Sequence, residues 1–297
     1  MTALAMAAHA KLNVFLRVLG HRDDGYHDVE TLVLPISLAD DVTVEAADEL
    51  TLSLEGPAVE RVPADDTNLA LRAARALAAE AGGARPPGAR ISIHKRIPVA
   101  AGLGGGSADA AATLLLLDEL WAVGWGRDGL ARLAGAIGSD VPALLLGEPA
   151  YAEGRGERVS PVLVQSTTWL VKPLAFGVSS ADAYGWWDEG TATGPDPGAL
   201  IAAAEAGNNA LLGSALYNDL QEPVAARHPE ISQTMEAFIE AGAEGAVMSG
   251  SGPTVVALCP FATAPDIARA VPGSIVVDAP PELSRPARID ADPSGVV

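Results

Sequence analysis

Apolar residues recur along this chain at two spacings. In "AHAKLNVFLRVL" (residues 8–19) they alternate, with Leu12, Val14, Leu16 and Val18 on one face, which predicts a strand. "DVTVEA" (41–46), "LTLSLEG" (50–56) and "ARISIHK" (89–95) read as further strands, the first two as part of a meander. "NLALRAARALAAEAGG" (68–83) has helical spacing, ends in glycines, and offers Asp66 or Thr67 as its cap. Helices are also predicted over 107–121 and 127–137, the second ending at "GSDVP". The texture changes near 147–160. Beyond it, "TTWLVKP" (167–173) reads as a strand, "SSADAYGWWD" (179–188) as a helix start and 190–198 as a flexible loop. Helices at 199–207 and 230–241 follow. Then come strand, glycine turn and strand in "GAVMSGSGPTVVAL" (245–258), a helix near 264–271 and a strand at 274–278. Strict alternation of strand and helix is missing, which predicts an α+β fold with largely antiparallel sheets. The expected division is 1–155, 156–282 and a flexible tail at 283–297. No repeat of 20–50 residues stands out.

Composition narrows the function classes. The 297 residues are 49% apolar and 19% charged, ample for a packed core. The net charge of −19 repels nucleic acid and anionic membrane, and the densest basic cluster is only "HKR" at 94–96. The single cysteine, Cys259, lies in the apolar run "TVVALC" and reads as a buried, inert thiol in a reducing compartment. The start "MTALAMAAHA" has no basic segment typical of a signal peptide, and no apolar run is long enough to span a membrane. A soluble cytoplasmic protein is expected. Of 19 basic residues only Lys11, Lys95 and Lys172 are lysines. A lysine kept in an arginine-rich chain marks a place where a compact ammonium is useful.

The chemistry concentrates in "IPVAAGLGGGSADAAATLLLL" (97–117), which has four glycines in the five positions 102–106. Strand, glycine loop and helix in that order make an anion site. Backbone N–H groups and the positive helix end converge on phosphate oxygens without a Cβ in the way. Ser107 can contact a phosphate, cap the helix or help hold Mg²⁺. The loop has no Lys before Ser107, unlike a Walker A motif, and Ser107 replaces the third glycine of the dinucleotide pattern. Asp109, in the first turn, must point away from a bound phosphate or sit near a metal.

Three segments share one resemblance: "AHAKLNVFLRVLGHRDDGYHDVETL" (8–32), the glycine loop, and "MSGSGPTVVAL" (248–258). In order and spacing they resemble the three motifs of the GHMP kinase superfamily. K-x-N-x-F-L followed by R-x-D-G-Y-H is similar to the 4-diphosphocytidyl-2-C-methyl-D-erythritol kinase family, as is "GSDVPALLLGEPAYAEGRGE". The resemblance spans residues 8 to 260. It implies a ribosomal S5 domain 2-like N-terminal domain with a left-handed crossover, then a ferredoxin-like C-terminal domain. It also implies an ATP-dependent kinase of isoprenoid biosynthesis that phosphorylates a cytidine diphosphate methylerythritol, with Mg²⁺; a monomer or homodimer is expected.

Carried over residue by residue, the resemblance makes Asp140 the catalytic base candidate and Lys11 the ammonium beside it. ATP would lie on Pro98, Val99, Ala100, Ala101, Gly102, Leu103, Gly104, Gly105, Gly106, Ser107 and Ala108. Asn13, on the same strand face as Lys11, would orient the acceptor hydroxyl. Tyr26 would stack on the base and His27 read its edge, with Tyr184, or else Trp186 or Trp187, opposite. Ser249, Gly250, Ser251 and Gly252 would lie near the phosphates. Asn218 and Asp219 read as structural, with Asn218 capping a turn or helix. "VAAG" stands where other members often carry more glycines, which affects loop stiffness. The Mg²⁺ ligands are left open, Ser107 being the candidate. The rival readings are a homoserine or mevalonate-type kinase, a non-catalytic nucleotide-binding regulator and, more distantly, a dinucleotide-binding oxidoreductase.

Overall fold

The computed structural model describes residues 3–81, 88–188, 193–279 and 287–289. In chain order its first part comprises β1 (Ala3–His21), β2 (His27–Ala47), β3 (Thr51–Glu55), α1 (Leu69–Glu80), β4 (Gly88–His94), α2 (Gly105–Leu120), α3 (Gly126–Ile137), α4 (Val141–Leu146), β5 (Ala150–Gly154) and β6 (Arg158–Pro161). The second part has β7 (Thr167–Lys172), α5 (Ser180–Asp188), α6 (Gly198–Glu205), α7 (Asn209–Ser214), β8 (Tyr217–Asn218), α8 (Gln221–Ala225) and α9 (Glu230–Glu240). It continues with β9 (Gly245–Met248), β10 (Val255–Cys259), α10 (Ala264–Ala270), β11 (Ile275–Ala279) and β12 (Ala287–Ile289).

The larger sheet runs β12–β1–β2–β4–β3, with β5 on β2, β6 on β5 and β8 on β1. Its pairs are antiparallel except β3–β4, joined through α1, and β1–β8. The second sheet runs β11–β7–β10–β9, all antiparallel. With helices between β7 and β9 and between β10 and β11, that order is the ferredoxin-like arrangement. The α+β expectation holds.

Local sequence explains the elements that hold the site. Leu12, Val14, Phe15, Leu16 and Val18 of β1 are all buried, so both faces of this strand are covered. Helix α2 is apolar nearly all round and is therefore a central helix, packed on α1, α3, α4 and the larger sheet. The expected cap of α1 is corrected. Asn68 caps it, its side chain accepting from Ala70 N at 2.9 Å and donating to Pro63 O at 2.8 Å. Asp65 instead binds Thr67, and Asp66 pairs with Arg75.

Residues 27–47 form one long strand rather than the predicted segment at 41–46. Val29, Leu32, Val33, Leu34 and Ile36 are buried on both faces, which erases alternation. Pro35 is tolerated because the β1–β2 register shifts between His9 and Lys11, opposite it; a second shift lies between Asn13 and Phe15. Two irregularities thus bracket Lys11 and Asn13 and aim them.

The change of sheet falls between Pro161 and Thr167, and the expected boundary at 155/156 runs through the β5–β6 hairpin. The parts share cores: Trp169, Val171 and Val256 belong to the same buried cluster as the residues of α1 and α2, while Leu16, Val18 and Val29 belong to that of β7, β10 and α9. Of the expected tail, Ala287–Ile289 pairs with Ala3–Ala5 as an edge strand. The remainder of that tail, and residues 190–192 of the expected loop, lie outside the described residues.

Candidate active site

Two cavities meet on the glycine loop. One, of about 330 Å³, is lined by Val62, Asn68, Leu69, Lys95, the loop from Ile97 to Ser107, and Asp109. The other, of about 770 Å³, is lined by Lys11, Asn13, Tyr26, His27, Asp140, Tyr184, Gly250 and Ser251, among others. Ala100, Gly102 and Gly104 line both, so the loop is their common wall.

The loop is held from beneath. Lys11 N donates to Leu103 O at 3.0 Å, and Lys11 Nζ to Gly102 O at 3.0 Å. Lys11 Nζ also donates to Asn13 Oδ1 and lies 3.5 Å from Asp140 Oδ2. Asn13 in turn donates to Thr31 Oγ1 at 2.8 Å. Asp140 stands at the N-terminal end of α4 but makes no capping bond, so its half-exposed carboxylate faces the cavity and Lys11.

The second glycine turn interlocks with the first. Ser249 Oγ accepts from Asn13 N at 3.1 Å and donates to Gly102 O at 3.2 Å. Gly102 has φ +72°, and a Cβ there would stand 2.4 Å from Ser249 O; one on Gly250 would stand 2.9 Å from Asn13 Oδ1. Only glycine permits both approaches. Ala100 takes φ +54° without being glycine, which is where the "VAAG" departure falls. Asn218 Nδ2 donates to Met248 O and Gly250 O, each at 2.7 Å, and its Oδ1 accepts from Leu220 N, so it ties this turn to β8. Asp219 accepts from Val18 N and from Tyr217 OH.

Helix α2 starts at Gly105 behind Gly104 with no side-chain cap, leaving its first N–H groups toward the smaller cavity. Ser107 lines that cavity and does not cap the helix. Asp109 Oδ2 is bound to Lys95 Nζ at 2.6 Å, and Lys95 also pairs with Asp40. Asp40 accepts from the N–H groups of Arg96 and Ile97, which fixes the entrance to the loop. All three side chains are buried, so one ammonium serves two carboxylates. Burial pushes the Asp109 carboxyl up to about 7, against the pull of Lys95 and with the charge of Asp40 adding. Its Oδ1 is buried without a partner, and Asp109 lines the smaller cavity.

At the far end of the larger cavity the aromatic residues are arranged differently from the simple sandwich expected. Tyr184 stacks on His27, with centroids 4.7 Å apart and planes at 23°. Burial, with the charge of Asp140, holds its phenol well above the usual range. Tyr26 is half exposed, and the Arg155 guanidinium lies 4.9 Å from its ring centroid. His27 Nε2 and Asp188 Oδ1 are 2.8 Å apart. Trp187 is buried with its ring perpendicular to that of His27, and Trp186 packs on His228 and Arg227, and neither lines the cavity as Tyr184 does. Ser249 and Gly252 support the wall without lining either cavity, and Ala108 is packed in the core. Arg155, Asp188, Asp40 and Thr31 were not singled out in the sequence. Arg155 stands between glycines in "EGRGE" and Asp188 follows the aromatic cluster, the only local signals they carry.

This geometry is that of a known class. Residues 68–148 match the GHMP kinases N terminal domain and residues 200–275 the GHMP kinases C terminal domain. The chain belongs to the GHMP kinases. A 4-diphosphocytidyl-2-C-methyl-D-erythritol kinase of Symbiobacterium thermophilum is 44% identical over 261 residues, covering 86% of this chain and 91% of that one. A crystal structure of 4-(cytidine 5'-diphospho)-2C-methyl-D-erythritol kinase superposes with a TM-score of 0.76 at 34% identity, covering 94% of this chain and 100% of that one. A homoserine kinase of Cytophaga hutchinsonii shares the fold, with a TM-score of 0.74 at 19% identity and 97% of each chain covered. Within its class the chain belongs to the 4-diphosphocytidyl-2-C-methyl-D-erythritol kinase family. Among the described residues no helix is long and apolar enough to cross a membrane.

Proposed function

We propose that this chain is a cytoplasmic, ATP-dependent kinase that phosphorylates the 2-hydroxyl of 4-diphosphocytidyl-2-C-methyl-D-erythritol in the non-mevalonate isoprenoid route. The observation that carries the proposal is the shared wall of the two cavities at Ala100, Gly102 and Gly104, with Lys11 and Asp140 beside it. The smaller cavity, at the start of α2, takes ATP. The larger takes the cytidyl substrate, with Tyr26, His27 and Tyr184 at the base end and Asp140 at the hydroxyl end. The names of the 44% and 34% identical relatives support that substrate.

Transfer then needs little covalent work from the protein. The acceptor hydroxyl, oriented by Asn13, attacks the γ-phosphorus and its proton passes to Asp140 as the new O–P bond forms. The bond to the β–γ bridging oxygen breaks and ADP leaves. Lys11 holds its ammonium beside the Asp140 carboxylate and stabilises charge on the transferring group. The residues present fit Mg²⁺: Asp109 Oδ1 is a buried carboxylate oxygen without a protein partner, and Ser107 lines the same cavity. Bound there, the ion would neutralise phosphate charge. Glycines 104 to 106 and Ser107 cradle the ATP phosphates. The molecule works as a monomer or homodimer on small-molecule substrates, without nucleic acid or membrane.

The test is ADP release from the purified protein with Mg²⁺-ATP and, separately, the cytidyl compound, homoserine and mevalonate. Turnover with the cytidyl compound alone is expected. Turnover with either other alcohol instead would keep the phosphate role of the loop and refute the substrate.

A further inference from the structure

A chain of net charge −19 that binds a diphosphate must place positive charge inside its cavity. In the larger cavity, Lys11 is engaged by Asp140. Arg155 is the one guanidinium among the described lining residues. It is half-buried, and its hydrogen-bond and ring partners are uncharged: one arm donates to Gly135 O at 3.1 Å, and its plane lies over the Tyr26 ring, while the Asp24 carboxylate, already bound by Arg22, is near enough to feel its charge. No carboxylate among the described residues forms an ion pair with it. Arg22, on the neighbouring loop, differs in being gripped by Asp24 and Asp28.

Its place along the cavity is equally specific. On one side Arg155 touches Tyr26, at the base end. On the other, the next residue, Gly156, packs so closely on Ser139 that a Cβ would stand 3.0 Å from the Ser139 carbonyl oxygen. Ser139 leads directly into Asp140. Tyr26, Arg155, Gly156 and Asp140 thus line one cavity, with Arg155 linked by contact to the proposed base platform and through Gly156 and Ser139 to the proposed hydroxyl end, and a nucleoside diphosphate ester carries its bridge between those two ends.

We infer that Arg155 is a substrate-binding residue that recognises the diphosphate bridge, its free N–H donors forming charge-assisted bonds to phosphate oxygens. The inference rests on the cytidyl substrate assigned above. It makes the cation–π contact with Tyr26 the means of holding the guanidinium ready when no substrate is bound.

The test is calorimetric titration of cytidine 5'-diphosphate and of cytidine, with the smaller cavity saturated by a non-hydrolysable ATP analogue. Wild-type protein should bind the diphosphate more tightly. Arg155→Gln should lose about tenfold or more in diphosphate affinity while cytidine affinity stays unchanged, and Arg155→Lys should fall between. The diphosphate affinity of Arg155→Gln should also depend less on salt. In turnover, the cytidyl substrate KM should rise and the ATP KM should not. An equal loss for both ligands would place the effect on the Tyr26 platform and overturn the inference, as would unchanged diphosphate binding. Wild-type protein that binds neither ligand would refute the substrate assignment and the inference with it. A thermal melt of each variant separates misfolding from lost affinity.

Discussion

Lys11 Nζ lies 3.5 Å from Asp140 Oδ2, and the two residues come from elements 129 positions apart, β1 and the start of α4. The lysine is buried and the aspartate is open to the cavity, so the pair presents a carboxylate to a ligand from a fixed cationic base. Asp140→Asn keeps the shape and removes the proton acceptor. Its kcat should fall by roughly 10²–10⁴-fold with ATP affinity largely retained. Single-turnover kinetics with an independent ATP titration measure both. Near-normal turnover would remove Asp140 from the mechanism.

Tyr26 is a half-exposed aromatic on the cavity rim, which is where a base can stack. Stacking on an aromatic ring contributes about 1–3 kcal/mol per base, so Tyr26→Ala should raise the KM for the cytidyl substrate by roughly 5–150-fold. The KM for ATP should hardly move. Equal rises in the two constants would mean that the loop, not the base platform, had been damaged.

Lys95 answers two buried carboxylates, Asp40 and Asp109. Lys95→Met fills the space but leaves those charges without a partner. Removing one member of a buried ionic group typically costs about 3–5 kcal/mol, and that is the expected loss in denaturant unfolding. The glycine loop should loosen at the same time, because Asp40 also holds the N–H groups of Arg96 and Ile97. A raised ATP KM in the residual folded enzyme would report this.

Cys259 is buried in β10, and its burial pushes the thiol up to about 11. The reactive thiolate is therefore scarce at pH 8 in the folded state and grows only as pH approaches that value. A thiol-specific chromogenic disulfide should react slowly with native protein at pH 8 and at once after unfolding. The native rate should climb with pH well past the range where a free cysteine levels off.

Much of this was readable from the residues alone. The glycine loop and the start of α2 are local signals, because backbone convergence on an anion requires those residue types in consecutive positions, whereas Lys11 and Asn13 took their meaning from the family resemblance. Asp40 carried no such mark: in "LADDVT" it looks like a turn carboxylate, and its partner is 55 positions away in sequence. The same holds for Arg155, whose meaning depends on Tyr26 lying across from it. The run 27–47 misled because a strand covered on both faces has no alternation to read, and Pro35 resembles a break until the shift in β1 opposite it is known. The cap of α1 was misplaced because Asp66, Thr67 and Asn68 are all good capping residues, and the choice among them is made by Pro63, which accepts a bond from Asn68 alone.

The pairing of β12 with β1 puts Ala287 against Ala5 and Ile289 against Ala3. Neighbouring strands lie about 4.8 Å apart, so the path of the chain through the described fold is very nearly a closed ring. A ring can be opened elsewhere. A circular permutant that joins these two edges by a short linker and begins in the exposed turn at Phe261 keeps every strand neighbour and both walls of the active site. The order in which the polypeptide is written is thus separable from the architecture that binds its ligands, and the new ends would offer attachment points well away from the glycine loop in sequence.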